Sequence, residues 1–195
     1  MKFSLNTAEV FIPDGAPEEQ ALGRTTHLCI AAHQDDIEIM AAQPIVECFQ
    51  QANAWFTGVV VTDGRGSPRD SLYKEYTDDE MRAVRFHVQR KAAYVGEFSA
   101  QVMLDIPSAI IKDASRPDPV DDLVKLLRAT KPQSVYTHNF ADKHDTHVAV
   151  ASRVVEAIRR LEQAERPERL VGCEVWRSLD WMVDTDKVLM NTSDH

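Results

Sequence analysis

Leu28-Cys29-Ile30-Ala31-Ala32-His33-Gln34-Asp35-Asp36 is the stretch on which the reading of this chain turns. A short apolar run, read as a buried strand over His27–Ala32, ends abruptly in an imidazole and two carboxylates. Much further along, a second strand-like run, Ser134-Val135-Tyr136-Thr137, leads into Asp142-Lys143-His144-Asp145-Thr146-His147. Two strands thus each deliver a His-rich turn. Together they offer two imidazoles and a carboxylate for one divalent cation, with a further carboxylate and imidazole to spare. That is the inventory of a metal-assisted hydrolase: three ligands, an open position for water, a base and a second polar group. Asp36 follows His33 by three residues, so one turn of backbone can aim both at a common point while Asp35 points elsewhere. Carboxylate oxygen with imidazole nitrogen suits Zn²⁺, and also Fe²⁺, Mn²⁺ or Co²⁺. An Asp-Asp pair after a strand also serves as a helix N-cap. Two such motifs at strand ends in one chain would need two independent coincidences.

Outward from these motifs, Trp55–Thr62 with its Val59-Val60-Val61 core reads as a second buried strand, and Gln101–Ile106 as a third. Residues 63–76 form a polar loop opening with Asp63-Gly64-Arg65-Gly66-Ser67; without Gly-Lys-Ser/Thr it is no P-loop. Thr77-Asp78-Asp79-Glu80 is a capping box that starts a helix running to about Tyr94, where Gly96 ends it. Further helices are expected over 119–129 and Val148–Ala164, and one over 38–53 whose regular part must start close to Pro44. Leu170–Arg177 and Lys187–Met190 read as late strands, and residues 1–24 as an arm or loop. Strands alternating with helices imply right-handed βαβ units and a mostly parallel sheet, an α/β fold. Ligands of such sheets sit outside the carboxyl ends of the strands. The His-Asp-Asp turn, the Gly loop and the His-x-x-His turn therefore share one rim.

The motif order resembles the zinc-dependent de-N-acetylases of the PIG-L/LmbE type. That family carries Ala-His-Pro-Asp-Asp after its first core strand, matched here by Ala32-His33-Gln34-Asp35-Asp36. Its Asp-x-His-x-x-His is matched by Asp142-Lys143-His144-Asp145-Thr146-His147. Between them its Gly loop corresponds to Thr62-Asp63-Gly64-Arg65-Gly66, and its Arg-x-x-Glu-Gln-x-x-Ala-Ala helix to Arg85 through Gly96. The resemblance covers about residues 26 to 155. It implies a Rossmann-like three-layer sandwich, with His33, Asp36 and His147 as ligands of Zn²⁺ (or another divalent metal such as Fe²⁺). It further implies Asp35 as general base and His144 as the group that stabilises the oxyanion or protonates the leaving amine. His144 would act as imidazolium, its charge kept by Asp142 or Asp145. The substrate would be a small N-acetylated sugar conjugate of the N-acetylglucosamine type. Alternatives are another amide or ester hydrolysis on the same metal, or a binding protein that has lost turnover.

Gln34 departs from the family's proline, so the turn is less pre-set in φ. Met40 and the alanines after it replace glycines, Val88 replaces a glutamate, and Thr146 replaces an aspartate. Arg65, Arg69 and Arg85 are candidates to hold sugar hydroxyls or an anionic aglycone, and Asp142 is a further candidate at the substrate. Trp176 and Trp181 could stack on a sugar face, and His138 could support the ligands from behind.

At 195 residues the chain suits one domain, 1–195, with an ordinary 44% hydrophobic and 27% charged content. A formal charge of −9 argues against a nucleic-acid surface. No apolar stretch approaches the roughly 20 residues of a membrane span. No secretory signal is visible, and three widely spaced cysteines suit a reducing cytosol, so a cytoplasmic location is expected. The strand-like run at Lys187–Met190 suggests that the natural chain continues past residue 195. Members of the family are often multimeric, and a homo-oligomer is left open.

Overall fold

Runs of β-branched and apolar residues form strands β1 (Glu9–Phe11), β2 (His27–Ala31), β3 (Phe56–Thr62), β4 (Ala100–Ile106), β5 (Ser134–His138) and β6 (Arg169–Cys173). The computed structural model describes residues 1–193 and joins these strands in one sheet of order β1-β4-β3-β2-β5-β6. β1 runs antiparallel to β4, and every other pair is parallel. Helices α1 (Glu18–Gly23), α2 (Asp36–Met40), α3 (Ala42–Cys48), α4 (Asp78–Val95), α5 (Ser108–Lys112), α6 (Asp118–Thr130) and α7 (Asp145–Arg159) fill the connections.

The period-two alternation of the strands divides the core in two. Leu28, Ile30, Val59, Val61, Val102, Leu104 and Val135 face a layer that includes Val120, Leu123 and Leu127 of α6 and Val150 and Val154 of α7. Cys29, Ala31, Val60, Met103 and Tyr136 face Ile37 and Met40 of α2 and Phe86 and Ala93 of α4. Covered on both faces, β3, β4 and β5 are buried along their whole length, as strands of a parallel sheet are, with Thr57, Gln101 and Thr137 among their buried polar residues. The result is the expected three-layer α/β sandwich. From β2 the chain builds β3 and β4 to one side, then returns to lay β5 and β6 on the other. The crevice between the ends of β2 and β5 is the switch point where open α/β sheets bind ligands.

Several elements differ from expectation. The single helix over 38–53 is two, broken at Ala41 with φ −122°. Pro44 has no N–H to give the carbonyl four residues back, so it fits only the first turn of a new helix. The helix at the second motif begins at Asp145 rather than Val148, which puts His144 at its N-cap and His147 in its first turn. Residues 1–24 supply β1 and α1, the strand being joined to the sheet edge with Val10 opposite Val102. A short helix α5, not foreseen, follows β4. β6 stops at Cys173, opposite the last residue of β5, and Lys187–Met190 forms no strand. The consecutive apolar residues Val188, Leu189 and Met190 join no neighbouring strand. Among the described residues no helix is long and apolar enough to cross a membrane.

Candidate metal centre

The turn after β2 is tied to both neighbouring strands. The Ala32 carbonyl accepts hydrogen bonds from the Thr62 amide (2.9 Å) and hydroxyl (2.8 Å), at the end of β3. The Ala32 amide donates to His138 Nε2 at the end of β5 (2.8 Å). From this anchor the chain turns sharply: Asp35 has φ 79° and ψ −24°, in the left-handed region. The turn closes when the His33 amide donates to Asp36 Oδ2 at 2.8 Å. Asp36 then starts α2, buried, with its carboxylate aimed back at the end of the sheet.

Three donor atoms meet there. His33 Nδ1 lies 3.1 Å from His147 Nε2 and 3.3 Å from Asp36 Oδ2, and His147 Nε2 lies 3.4 Å from Asp36 Oδ2. Ligand atoms about 2.0–2.1 Å from a tetrahedral ion stand roughly 3.3 Å from one another, so this triangle fits one face of such a site. The donors are one carboxylate and two imidazoles, which suits a zinc-like divalent cation. Two overlapping groups in the cluster, His33/His144/His147 and Asp36/His138/His147, each bring ligand-type atoms within 4.8 Å of one another. His138 Nε2 is already engaged by the Ala32 amide, so it makes the weaker ligand.

Behind the triangle stands Asp142. Its Oδ2 is 3.1 Å from His147 Nδ1, and its Oδ1 accepts from the His144 amide at 2.8 Å. A carboxylate on Nδ1 fixes the tautomer that leaves Nε2 free for a metal. The Asp142 side chain has no exposed surface, so it is placed to orient His147 and not to touch a substrate. Burial opposes its ionisation, but the His144 amide and the His147 ring outweigh burial and hold its carboxyl below the ordinary range. Asp36 is balanced in the same way: burial raises it, while the His33 hydrogen bond and the imidazoles of His138, His147 and His33 bring it below its usual value. His138 stacks on His147, ring centroids 3.9 Å apart, and burial pushes its pKa down to about 3.

Asp35 and His144 lie to the open side. Asp35 is 59% exposed and pairs with Arg85 at 3.0 Å. His144 stacks on His147 at 4.6 Å, and its Nδ1 accepts from the Thr146 amide at 3.3 Å, capping α7. Its pKa is lowered by burial and by the rings of His147 and His33, against the pull of Asp145 and Asp36. The expectation of a charge held by Asp142 or Asp145 therefore needs correction. Asp142 is committed to His147, while Asp145 pairs with Lys112 at 3.0 Å and stands 3.7 Å from His144.

The other sequence candidates divide. Arg65 is neutralised by Asp63 (3.1 Å) and Asp79 (2.9 Å), and Arg69 by Asp78. Arg85 reaches the His-Asp-Asp turn itself, at the Gln34 carbonyl and Asp35. Trp176 is held near the site by its amide, which donates to Asp142 at 3.4 Å, while its ring is more than half exposed. Gln89 was not singled out, yet its Oε1 accepts from the Asp35 amide at 3.3 Å. The available signal was its place one helical turn beyond Arg85 on α4. An open groove of about 790 Å³ beside α3, lined by Val46, Phe49 and Thr192, includes none of these residues.

Residues 28–158 match the family model described as PIG-L, GlcNAc-PI de-N-acetylase. The chain belongs to the PIG-L family. No curated protein matches the sequence. Among solved structures, N,N'-diacetylchitobiose deacetylase from Pyrococcus horikoshii aligns with TM-score 0.58 at 21% identity, over 69% of this chain and 49% of that one. GalB, the 4-carboxy-2-hydroxymuconate hydratase of Pseudomonas putida KT2440, aligns with TM-score 0.61 at 21% identity, over 76% and 62%. A deacetylase of the teicoplanin biosynthetic pathway, solved as a triple mutant, aligns with TM-score 0.55 at 18% identity, over 69% and 60%. The chain thus spans about half to two thirds of these structures. At such identities the likeness is one of fold, and that fold carries both deacetylases and a hydratase.

Proposed function

We propose that the chain is a metal-dependent amide hydrolase that removes the N-acetyl group from an N-acetylglucosamine-type conjugate. The observation that carries this reading is the triangle of His33, Asp36 and His147, with edges of 3.1–3.4 Å and with Asp35 and His144 left over beside it. A protein that only stores a metal needs neither of the latter two. His33, Asp36 and His147 would hold the cation, zinc by donor type, and when bound it would polarise an amide carbonyl and acidify a water.

The chain's own residues supply the rest. Asp35, exposed and outside the ligand triangle, takes the proton of the attacking water as its oxygen bonds to the acetyl carbon. Because Nδ1 of His144 accepts from the Thr146 amide, its proton sits on Nε2. The neutral imidazole then donates a hydrogen bond to the carbonyl oxygen as negative charge develops there. A cation at this position would be disfavoured by the N-terminus of α7 and by the two neighbouring rings. The proton held by Asp35 passes to the amine as the C–N bond breaks, giving acetate and a free amino sugar.

The test is acetate release from N,N'-diacetylchitobiose and other N-acetylglucosamine conjugates by zinc-loaded and chelator-stripped protein. Zinc-dependent acetate release is expected, with Asp35→Asn keeping its metal and losing on the order of 10² to 10⁴ in rate. Full activity of the stripped protein, or of Asp35→Asn, would overturn the reading. In that assay 4-carboxy-2-hydroxymuconate serves as the counter-substrate: its hydration without acetate release would favour a lyase.

A further inference from the structure

The turn that carries Asp35 is held in an unusual way. Asp35, at φ 79° and ψ −24°, lies in the left-handed region within the turn His33–Asp36, as the third residue of a type II turn does. Glycine is the natural residue there, and proline the favoured one before it, because proline fixes that position's φ in advance. This chain has Gln34 and Asp35 instead. A non-glycine residue in the left-handed region is strained, so other contacts must over-determine it.

Those contacts come from α4. The Arg85 guanidinium donates to the Gln34 carbonyl and, at 3.0 Å, to Asp35 Oδ2. One turn along the same face, Gln89 Oε1 accepts from the Asp35 amide at 3.3 Å. Gln89 is itself buried, with its Nε2 held by Glu38 at 2.9 Å and Gln101 at 3.2 Å. The turn is therefore gripped at a carbonyl, an amide and a carboxylate by two residues of one helix. Arg85 Nε is buried without a partner, so the guanidinium is turned toward the turn with one edge closed to solvent.

We propose that Arg85, supported by Gln89, is the positioning residue for Asp35, bracing from α4 a turn that a proline would otherwise stiffen. This rests on Asp35 being the general base. It differs from the reading in which Arg85 holds sugar hydroxyls or an anionic aglycone, because a positioning residue acts on turnover and a substrate contact acts on KM.

The experiment uses the zinc-loaded full chain with N,N'-diacetylchitobiose. Arg85→Met, Arg85→Lys and Gln34→Pro are made singly, and Gln34→Pro is also combined with Arg85→Met. Arg85→Met is expected to keep its zinc and KM within about twofold while kcat falls roughly 10- to 100-fold, the scale of a misplaced reacting group. Lysine recovers part of the loss, and Gln34→Pro raises kcat more in the Arg85→Met background than in the wild type. Exchange of the Asp35 amide with solvent, read by NMR, gives a measure that needs no turnover: it quickens at least tenfold in Arg85→Met while the interior of α4 is unchanged. A raised KM with kcat retained would overturn the proposal, as would unchanged amide exchange or a loss that neither lysine nor Gln34→Pro relieves. Asp35→Asn separates the two claims. If it keeps full kcat, the general-base reading falls; if it loses kcat while Arg85→Met does not, only the role of Arg85 falls. Should the wild type release no acetate, the exchange comparison alone decides the brace.

Discussion

His138 accepts a hydrogen bond from Ala32 through Nε2, stacks on His147 and has no exposed side-chain surface. Its neutrality is a condition of that packing, which gives a pH dependence with a definite sign. Its pKa is about 3 in the fold against 6.5 for the free side chain, so the unfolded chain takes up the proton first. Stability is then fully present above about pH 6.5 and is lost as pH falls toward 3. For this one group the loss between pH 7 and pH 5 is on the order of 2 kcal/mol. Urea unfolding of chelator-stripped protein at the two pH values measures it, and His138→Gln should flatten the difference. At the scale of residues the sequence was partly legible. His33, Asp36 and His147 could be picked out because each motif follows a strand end. The commitment of Asp142 to His147, and of Gln89 to Asp35, could not. Both depend on which side chain the fold delivers to a given atom, and a carboxylate two residues before a histidine reads equally as base, cap or support.

Gly64 shows how elements constrain the site. It follows β3 with φ 71°, and a Cβ placed there would stand 2.5 Å from Gln34 Oε1 and 3.1 Å from Arg85 Cβ. The Gly loop and the His-Asp-Asp turn therefore pack backbone against side chain, with Gln34 fully buried between them. Gly64→Ala would add left-handed strain of about 1 kcal/mol to that clash. It should lower the thermal midpoint and also depress kcat by displacing the turn, whereas Gly66→Ala, with open space at its Cβ, should do neither. Melting curves and initial rates of the two variants check this. The same scale explains which elements were legible. The strands of the central sheet and the capped α4 carry strong period and capping signals, and the Thr77–Glu80 box is formed in both directions. β1 was missed because three residues at a sheet edge have too little pattern. Its place is set by pairing with β4 and by the Glu9–Arg90 ion pair, both distant in sequence. Lys187–Met190 had the pattern of a strand and no partner strand.

Across the whole molecule, the candidate site joins two segments that meet only when β2 and β5 lie side by side. His33 and His147 are 114 positions apart in the chain, so the triangle cannot exist in a partly paired sheet. A cation bound there favours the native state alone, by about 2.7 kcal/mol at a hundredfold excess over its Kd. Removing it with chelator should lower the midpoint of unfolding by the corresponding amount. The consequence extends to folding kinetics. Parallel pairing of distant strands is slow because loop closure must precede the contacts that reward it. The ligands assemble after that step, so zinc should leave the refolding rate in dilute denaturant unchanged and slow the unfolding limb by the full stabilisation. A bound ion would then govern how long a finished molecule lasts, with no influence on how quickly a new chain finds its fold.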